Sequence, residues 1–213
     1  MRRLSEKRKV EGVLDLLFGQ VMQGLLYFYC AQSLHEAFQQ CPLMERSYFF
    51  FTVYHAALRE AILALSRLTR EHKDSITIYY LFNLVEHNPR LFSQDGPESL
   101  PTSLAAIKAR LDKYGPLIES VREQRDQVLA HLDRKHVNNP SDLFAHPGGV
   151  NPTELGECLR ELSGILNVFD ADLYGKEFTV SHLQSFVSGD VDVLLRWMHE
   201  HGKPGEWIRP PVF

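Results

Sequence analysis

The chain has few of the features that staple, charge or thread a protein. It holds only three cysteines, Cys30, Cys41 and Cys158, widely spaced and without a CxxC pair. That excludes a disulfide framework and a zinc knuckle, and it fits a reducing, cytoplasmic setting. Positive charge is not in excess: 23 Lys and Arg stand against 27 Asp and Glu, a formal net charge of −4. A general nucleic-acid coater would be strongly basic. Alternating apolar and polar runs are nearly missing, which argues against a β-rich fold. No repeat, low-complexity tract or sustained heptad pattern occurs, so collagen-like, disordered and purely coiled-coil readings fall away. The most apolar run, Gly24 to Ala31, is far too short to span a bilayer, and no membrane association is expected. Arg2, Arg3, Lys7, Arg8 and Lys9 imitate the start of a targeting signal, but Glu11 and Asp15 interrupt the apolar stretch such a signal needs. The basic start reads as the first turns of a helix, with a phosphate-touching arm as the alternative.

What the chain does have is apolar residues at helical spacing. Its 213 residues, 44% of them hydrophobic, suffice for one domain with a real core. From about Ser5 to Gln40 the chain reads as one long helix or two, striped by Val10, Val13, Leu14, Leu17, Phe18 and Val21. Gly19 and Gly24 are the points where it could bend, and Cys41-Pro42 stops it. A second helix spans Glu45 to Arg70, with Phe51, Tyr54, Leu58, Ile62, Leu65 and Leu68 on one face and Phe49, Phe50 and Val53 widening it. Ile76 to Val85 reads as a short helix, and Asn88 to Pro101 as a loop. Ser103 is the expected cap of a helix carrying Leu104, Ile107 and Leu111. Gly115-Pro116 breaks the chain and starts the next helix, to about Val137. After a loop to Asn151, Pro152 opens a helix ending near Asp172, and a shorter one spans Asp190 to His201. The expected architecture is an all-α, single-domain bundle of about six or seven helices over residues 1–202, with a Pro-rich tail, 203–213, anchored by Trp207 and Phe213.

The helix after Pro116 carries an anomaly. Ile118, Val121, Val128, Leu129 and Leu132 form its core stripe, and Arg125 falls inside that stripe. A guanidinium among apolar neighbours is costly unless it is paired and hydrogen-bonded. Either it snorkels, or it meets a carboxylate, or the stripe there faces a polar groove or a second subunit. On an ideal helix His131 projects about 120° away from Arg125, while His136 returns to the Arg125 side. A long side chain or a local bend could still bring Arg125 and His131 to one phosphate.

The run Arg125-Asp126-Gln127-Val128-Leu129-Ala130-His131 resembles the signature of the HEPN superfamily: an arginine, a polar residue, then a histidine after four to six intervening positions. Arg67 with His72 and Arg196 with His201 have a matching spacing, but Leu68 and Trp197 follow those arginines, so only Arg125 satisfies the pattern. Ala130-His131-Leu132-Asp133 and the aromatic-rich block Phe50 to Leu68 are similar to the AbiU-like, abortive-infection branch. The resemblance covers roughly residues 45 to 137, and Asp126 departs from it where asparagine is commoner. It implies metal-independent cleavage of RNA, with Arg125 and His131 catalytic, two protomers converging at a cleft, and no cofactor. Asp126 could orient His131 or brace an arginine, and His136 competes with His131.

Each of these residues also has an ordinary reading. Arg125 could simply be ion-paired with a neighbouring helix, and His131 could lie on a solvated flank. Asp133, Arg134 and Lys135 suit a solvated helix end. The Phe49-Phe50-Phe51 cluster reads as core, not as a base-stacking platform. His199 and His201 point to different sides of a helix and lack a third ligand, so no metal site is expected. Two functions therefore compete. One is a defence- or toxin-type RNase acting as a homodimer on an RNA substrate and silenced by an antitoxin or other protein. The other is a non-catalytic helical module that dimerises or binds a protein partner through the same face. Between Val121 and His136 four basic residues meet three acidic ones, which is weak phosphate steering. Nucleotide binding, a minor third reading, lacks a phosphate-cradling loop.

Overall fold

The computed structural model describes residues 2–41, 44, 47–70, 74–92, 100–126, 150–174 and 181–201. Among them are seven helices and no strand: α1 (Arg2–Gln40), α2 (Tyr48–Thr69), α3 (Ile78–His87), α4 (Leu100–Asp112), α5 (Gly115–Gln124), α6 (Pro152–Tyr174) and α7 (Ser181–His201). A single 3-10 turn, Pro89–Leu91, follows α3. The proline-rich tail, His131 and His136 lie outside the described residues.

The long helix α1 organises the bundle, touching α2, α3, α6 and α7. It buries a residue every three or four positions: Val10, Leu14, Leu17, Val21, Leu25, Phe28 and Leu34. Each large apolar side chain so buried contributes roughly 1.5–3 kcal/mol. No bend occurs at Gly19 or Gly24, and α1 is one helix. Gly24 instead marks a close approach. A Cβ there would lie 3.0 Å from Leu159 Cδ2 of α6 and 3.1 Å from Ala64 Cβ of α2. Gly156 of α6 does the same for the Phe28 ring, which a Cβ would overlap. Packing across α1, α2 and α6 outweighs the weak helix propensity of these glycines.

α6 answers with Leu155, Leu159, Leu162, Leu166 and Phe169, all buried. Asn151 starts it: its side-chain oxygen accepts from the Thr153 N–H at 2.9 Å, satisfying one of the orphan donors of the first turn. Phe169 meets Phe82 of α3 and Phe92, which follows the 3-10 turn, with ring centroids 6.2 and 5.8 Å apart. α3 is capped by Thr77, whose hydroxyl oxygen accepts from the Tyr80 N–H at 3.4 Å. α4 is tied to α3 by Lys108–Glu86 and to α6 by Arg110–Glu161. Such partly exposed ion pairs add little, about 0–1 kcal/mol each.

Three sequence expectations change. α4 begins at Leu100, so Ser103 sits inside its first turn and is not the N-cap. α7 begins at Ser181, nine residues before the expected Asp190. Ser185, Ser188 and Gly189 lower its intrinsic propensity, and docking of Leu183, Val187, Val191, Leu194 and Leu195 on the core supplies what propensity lacks. The Phe49-Phe50-Phe51 cluster is core only in part: Phe49 is 67% exposed, while Phe50 and Phe51 are half-buried and Phe50 packs against the core. It occupies the first turn of α2.

α1 and α2 reach the length and mean hydropathy of membrane-crossing segments. Both face each other along one seam and carry the centre of the core, which gives a bundle helix the same character.

Candidate functional site

α5 opens on Gly115-Pro116, the proline taking an early position where its missing N–H costs nothing. Leu117, Ile118, Val121 and Gln124 are buried along the face turned to α2. Arg125 follows Val121 by four residues and so stays on that face, about 40° around the helix. Its side chain is only 21% exposed. The core stripe therefore does bring a guanidinium against α2.

Two partners hold it. Nε donates to Asp126 Oδ1 at 2.7 Å, and Nη2 stands 2.6 Å from the same oxygen in an ion pair. Nη1 donates to the hydroxyl oxygen of Ser66 on α2 at 3.3 Å. Ser66 is itself buried, on the same side of α2 as Ile62 and Thr69. Asp126 braces Arg125, and His131, the other group it could orient, lies outside the described residues. The carboxylate is 56% exposed, so the pair is solvent-screened and fixes geometry more than it adds stability. A guanidinium has five N–H donors. Among the described residues Asp126 and Ser66 engage these donors, and a phosphate takes two of a guanidinium's N–H groups in a bidentate contact.

Two further features surround it. Arg125 and Asp126 lie in a π-type turn at the end of α5. Such turns insert an extra residue into the helical step and re-aim the side chains beyond them. Next to Arg125, the Oε1 of Gln124 is buried and has no hydrogen-bond partner among the described residues.

The sequence reading pointed to Arg125 and Asp126, and the structure places them together. His131 and His136 fall outside the described residues, as do Val128, Leu129 and Leu132. Ser66 and Gln124 were missed. Ser66 had a faint signal, a hydroxyl in the apolar stripe of α2, but nothing in sequence connects it to a residue 59 positions away. Beside Ser66, a cleft of about 300 Å³ at the end of α2 is lined by Gln20, Arg67, Arg70 and Ile76, among others. Among the described residues no three His, Cys, Asp or Glu side chains gather as metal ligands. Cys158 is sealed in the core, and burial, with a smaller push from Glu161, raises its thiol pKa to about 12. It is no nucleophile at neutral pH.

No curated protein and no solved structure matches the chain. A family model described as AbiU2, of the HEPN class, matches residues 8–194. The match runs from α1 into α7, well beyond the 45–137 region that carried the resemblance, and it includes the C-terminal helices in which sequence reading found nothing specific. With its all-α bundle and the arginine motif on α5, the chain belongs to the AbiU2 family of HEPN proteins, a family associated with abortive infection.

Proposed function

We propose that the protein is a metal-independent endoribonuclease of a phage-defence or toxin type, with Arg125 and His131 as its catalytic pair. The observation that carries this reading is the guanidinium of Arg125, held by Asp126 and Ser66 in a chain of the AbiU2 HEPN family. The chemistry needs no cofactor. The ribose 2′-hydroxyl attacks the adjacent phosphorus while a base takes its proton. The P–O5′ bond breaks, and an acid returns a proton to the leaving oxygen. A 2′,3′-cyclic phosphate and a 5′-hydroxyl remain, and DNA lacks the nucleophile. A histidine with the ordinary pKa of about 6.5 performs either proton transfer at neutral pH. An arginine neutralises the charge that grows on the phosphoryl oxygens. His136 supports or substitutes for His131. In this reading two copies of the chain form the cleft in the cytoplasm, and an antitoxin or other protein keeps it silent.

A second reading is a non-catalytic module for dimerisation or protein binding. Two observations favour it. Asp126 cancels the charge of Arg125, and α7 exposes Phe186 and Val193 on one helical face.

The test is RNA cleavage by the purified chain in EDTA, beside Arg125→Ala and His131→Ala. Cleavage that persists in EDTA and disappears in both variants supports the nuclease. Intact RNA in all samples, from a chain that runs as a dimer, transfers the argument to the interaction module.

A further inference from the structure

The ion pair at the end of α5 differs from the pairs elsewhere in the bundle. At Arg67, Lys108, Arg110 and Arg122 the paired cation is 39–49% exposed. The Arg125 side chain is 21% exposed, and that of its partner Asp126 is 56%. A sheltered cation thus meets an anion that stands in solvent. The two groups that hold the guanidinium also differ in anchorage. Ser66, which accepts from Nη1, is buried in α2 and fixed by the packing of that helix. Asp126 stands at the end of α5, in the π-type turn that it shares with Arg125. Consecutive residues of an α-helix do not face each other, so their contact belongs to that turn.

The contact has a chemical consequence. Asp126 Oδ1 lies 2.7 Å from Nε and 2.6 Å from Nη2, so the carboxylate sits across the Nε–Nη2 edge of Arg125. That edge is one by which a guanidinium grips two oxygens of a phosphate. Carboxylate and phosphate compete for it, because both are anions seeking the same two N–H groups, and each repels the other. Asp126 is tethered one residue away, which gives it a high effective concentration at the edge. Its exposure to solvent keeps the pair weak enough to open. A strand that gains further contacts along its backbone can outcompete a tethered carboxylate. We infer that Asp126 is an internal anion that closes the phosphate grip of Arg125, and that an RNA strand opens the grip by displacing this carboxylate while Ser66 keeps the guanidinium in place. The inference rests on the reading of Arg125 as a phosphate-binding group and adds the regulation of that site.

The test is a double-mutant cycle read by binding. The probe is a fluorescent RNA oligonucleotide with 2′-O-methyl riboses, which lacks the nucleophile and stays intact. It is titrated into the full chain as wild type, Asp126→Asn, Asp126→Ser, Asp126→Glu, Arg125→Gln and the Arg125→Gln, Asp126→Asn double variant. Asp126→Asn and Asp126→Ser, which remove the charge in two different ways, should each bind about tenfold tighter than wild type. Asp126→Glu, which keeps the charge, should stay within about twofold of wild type. With Arg125→Gln already present, Asp126→Asn should gain no more than about twofold, the share that loss of any nearby negative charge gives. Unchanged or weaker binding by both charge-removing variants, an equal gain in the two backgrounds, or no binding by any variant overturns the inference. Cleavage of unmodified RNA, followed in parallel, separates this outcome from the nuclease reading. Tighter binding without cleavage by any variant rejects the nuclease and keeps the closed grip. Cleavage by wild type, with binding unimproved in Asp126→Asn and Asp126→Ser, does the reverse.

Discussion

Two crossings in this bundle were built to different rules. Where α1 meets α2 and α6, the contacts are mainly apolar and the helices come close at Gly24 and Gly156. Where α5 meets α2, the seam holds Ser66, Gln124 and Arg125, and the buried Gln124 Oε1 has no partner among the described residues. The first crossing is built mainly for packing. The second keeps a charge that an apolar seam would not. Proteins break local rules of this kind chiefly where a site needs the broken group. The contrast sets a crossing held by packing against one that carries the arginine of the family motif.

Truncation at the first crossing should have the largest effect. Leu159→Ala, at a fully buried position, should lower unfolding free energy by about 2–5 kcal/mol in denaturant titration. Gly156→Ala should come next. Alanine is the better helix former, yet its Cβ overlaps the Phe28 ring, so a loss of roughly 1–3 kcal/mol is expected. A gain in stability would mean that Phe28 yields easily and that the crossing is looser than described.

The buried thiol gives a third measurement. Cys158 keeps its proton to about pH 12 when folded, whereas an unfolded cysteine loses it near 8.5. Between those values the folded chain binds the extra proton, so stability falls as pH rises through that window. The slope attributable to this group approaches about 1.4 kcal/mol per pH unit. Denaturant midpoints for wild type and Cys158→Ala across pH 8 to 11 should diverge accordingly, and parallel curves would refute the buried assignment.

At the second crossing the order inverts. Arg125→Leu should move stability by less than about 1 kcal/mol in either direction, because the ion pair is exposed on the Asp126 side. If the nuclease reading holds, the same change should reduce cleavage by at least about a hundredfold. Ser66→Ala is the mildest. It removes one long hydrogen bond, worth about 0.5–1.5 kcal/mol, and should weaken cleavage without abolishing it. A variant of Arg125 that unfolds the chain would erase the contrast.

Much of this was readable from residue order alone. The stripe of α2 from Tyr54 to Leu68 and the start of α6 at Pro152 follow from apolar spacing and from residues that open or stop a helix, whereas the short α3 follows only from its helical neighbours, its own residues being strand-like. The misplacement of Arg125 on an apolar stripe was equally plain, because a charge in a periodic pattern is a local observation. α7 was half missed for the converse reason: Ser181 to Gly189 is a poor helix by propensity and becomes one by docking on α1.

By itself the sequence determined the helical class, the family motif and the residue most out of place, since each depends on neighbours within a few turns of chain. Only the tertiary structure decided the rest. It decided that Gly24 is a contact and not a bend, that Phe49 faces outward, that Ser66 holds Arg125, and that Phe28, Tyr54 and Arg160 border one cavity. Those facts join residues tens to more than a hundred positions apart. Periodicity fixes which way a side chain leaves its own helix, but the partner it meets depends on how helices cross, and that is set by the fit of whole surfaces.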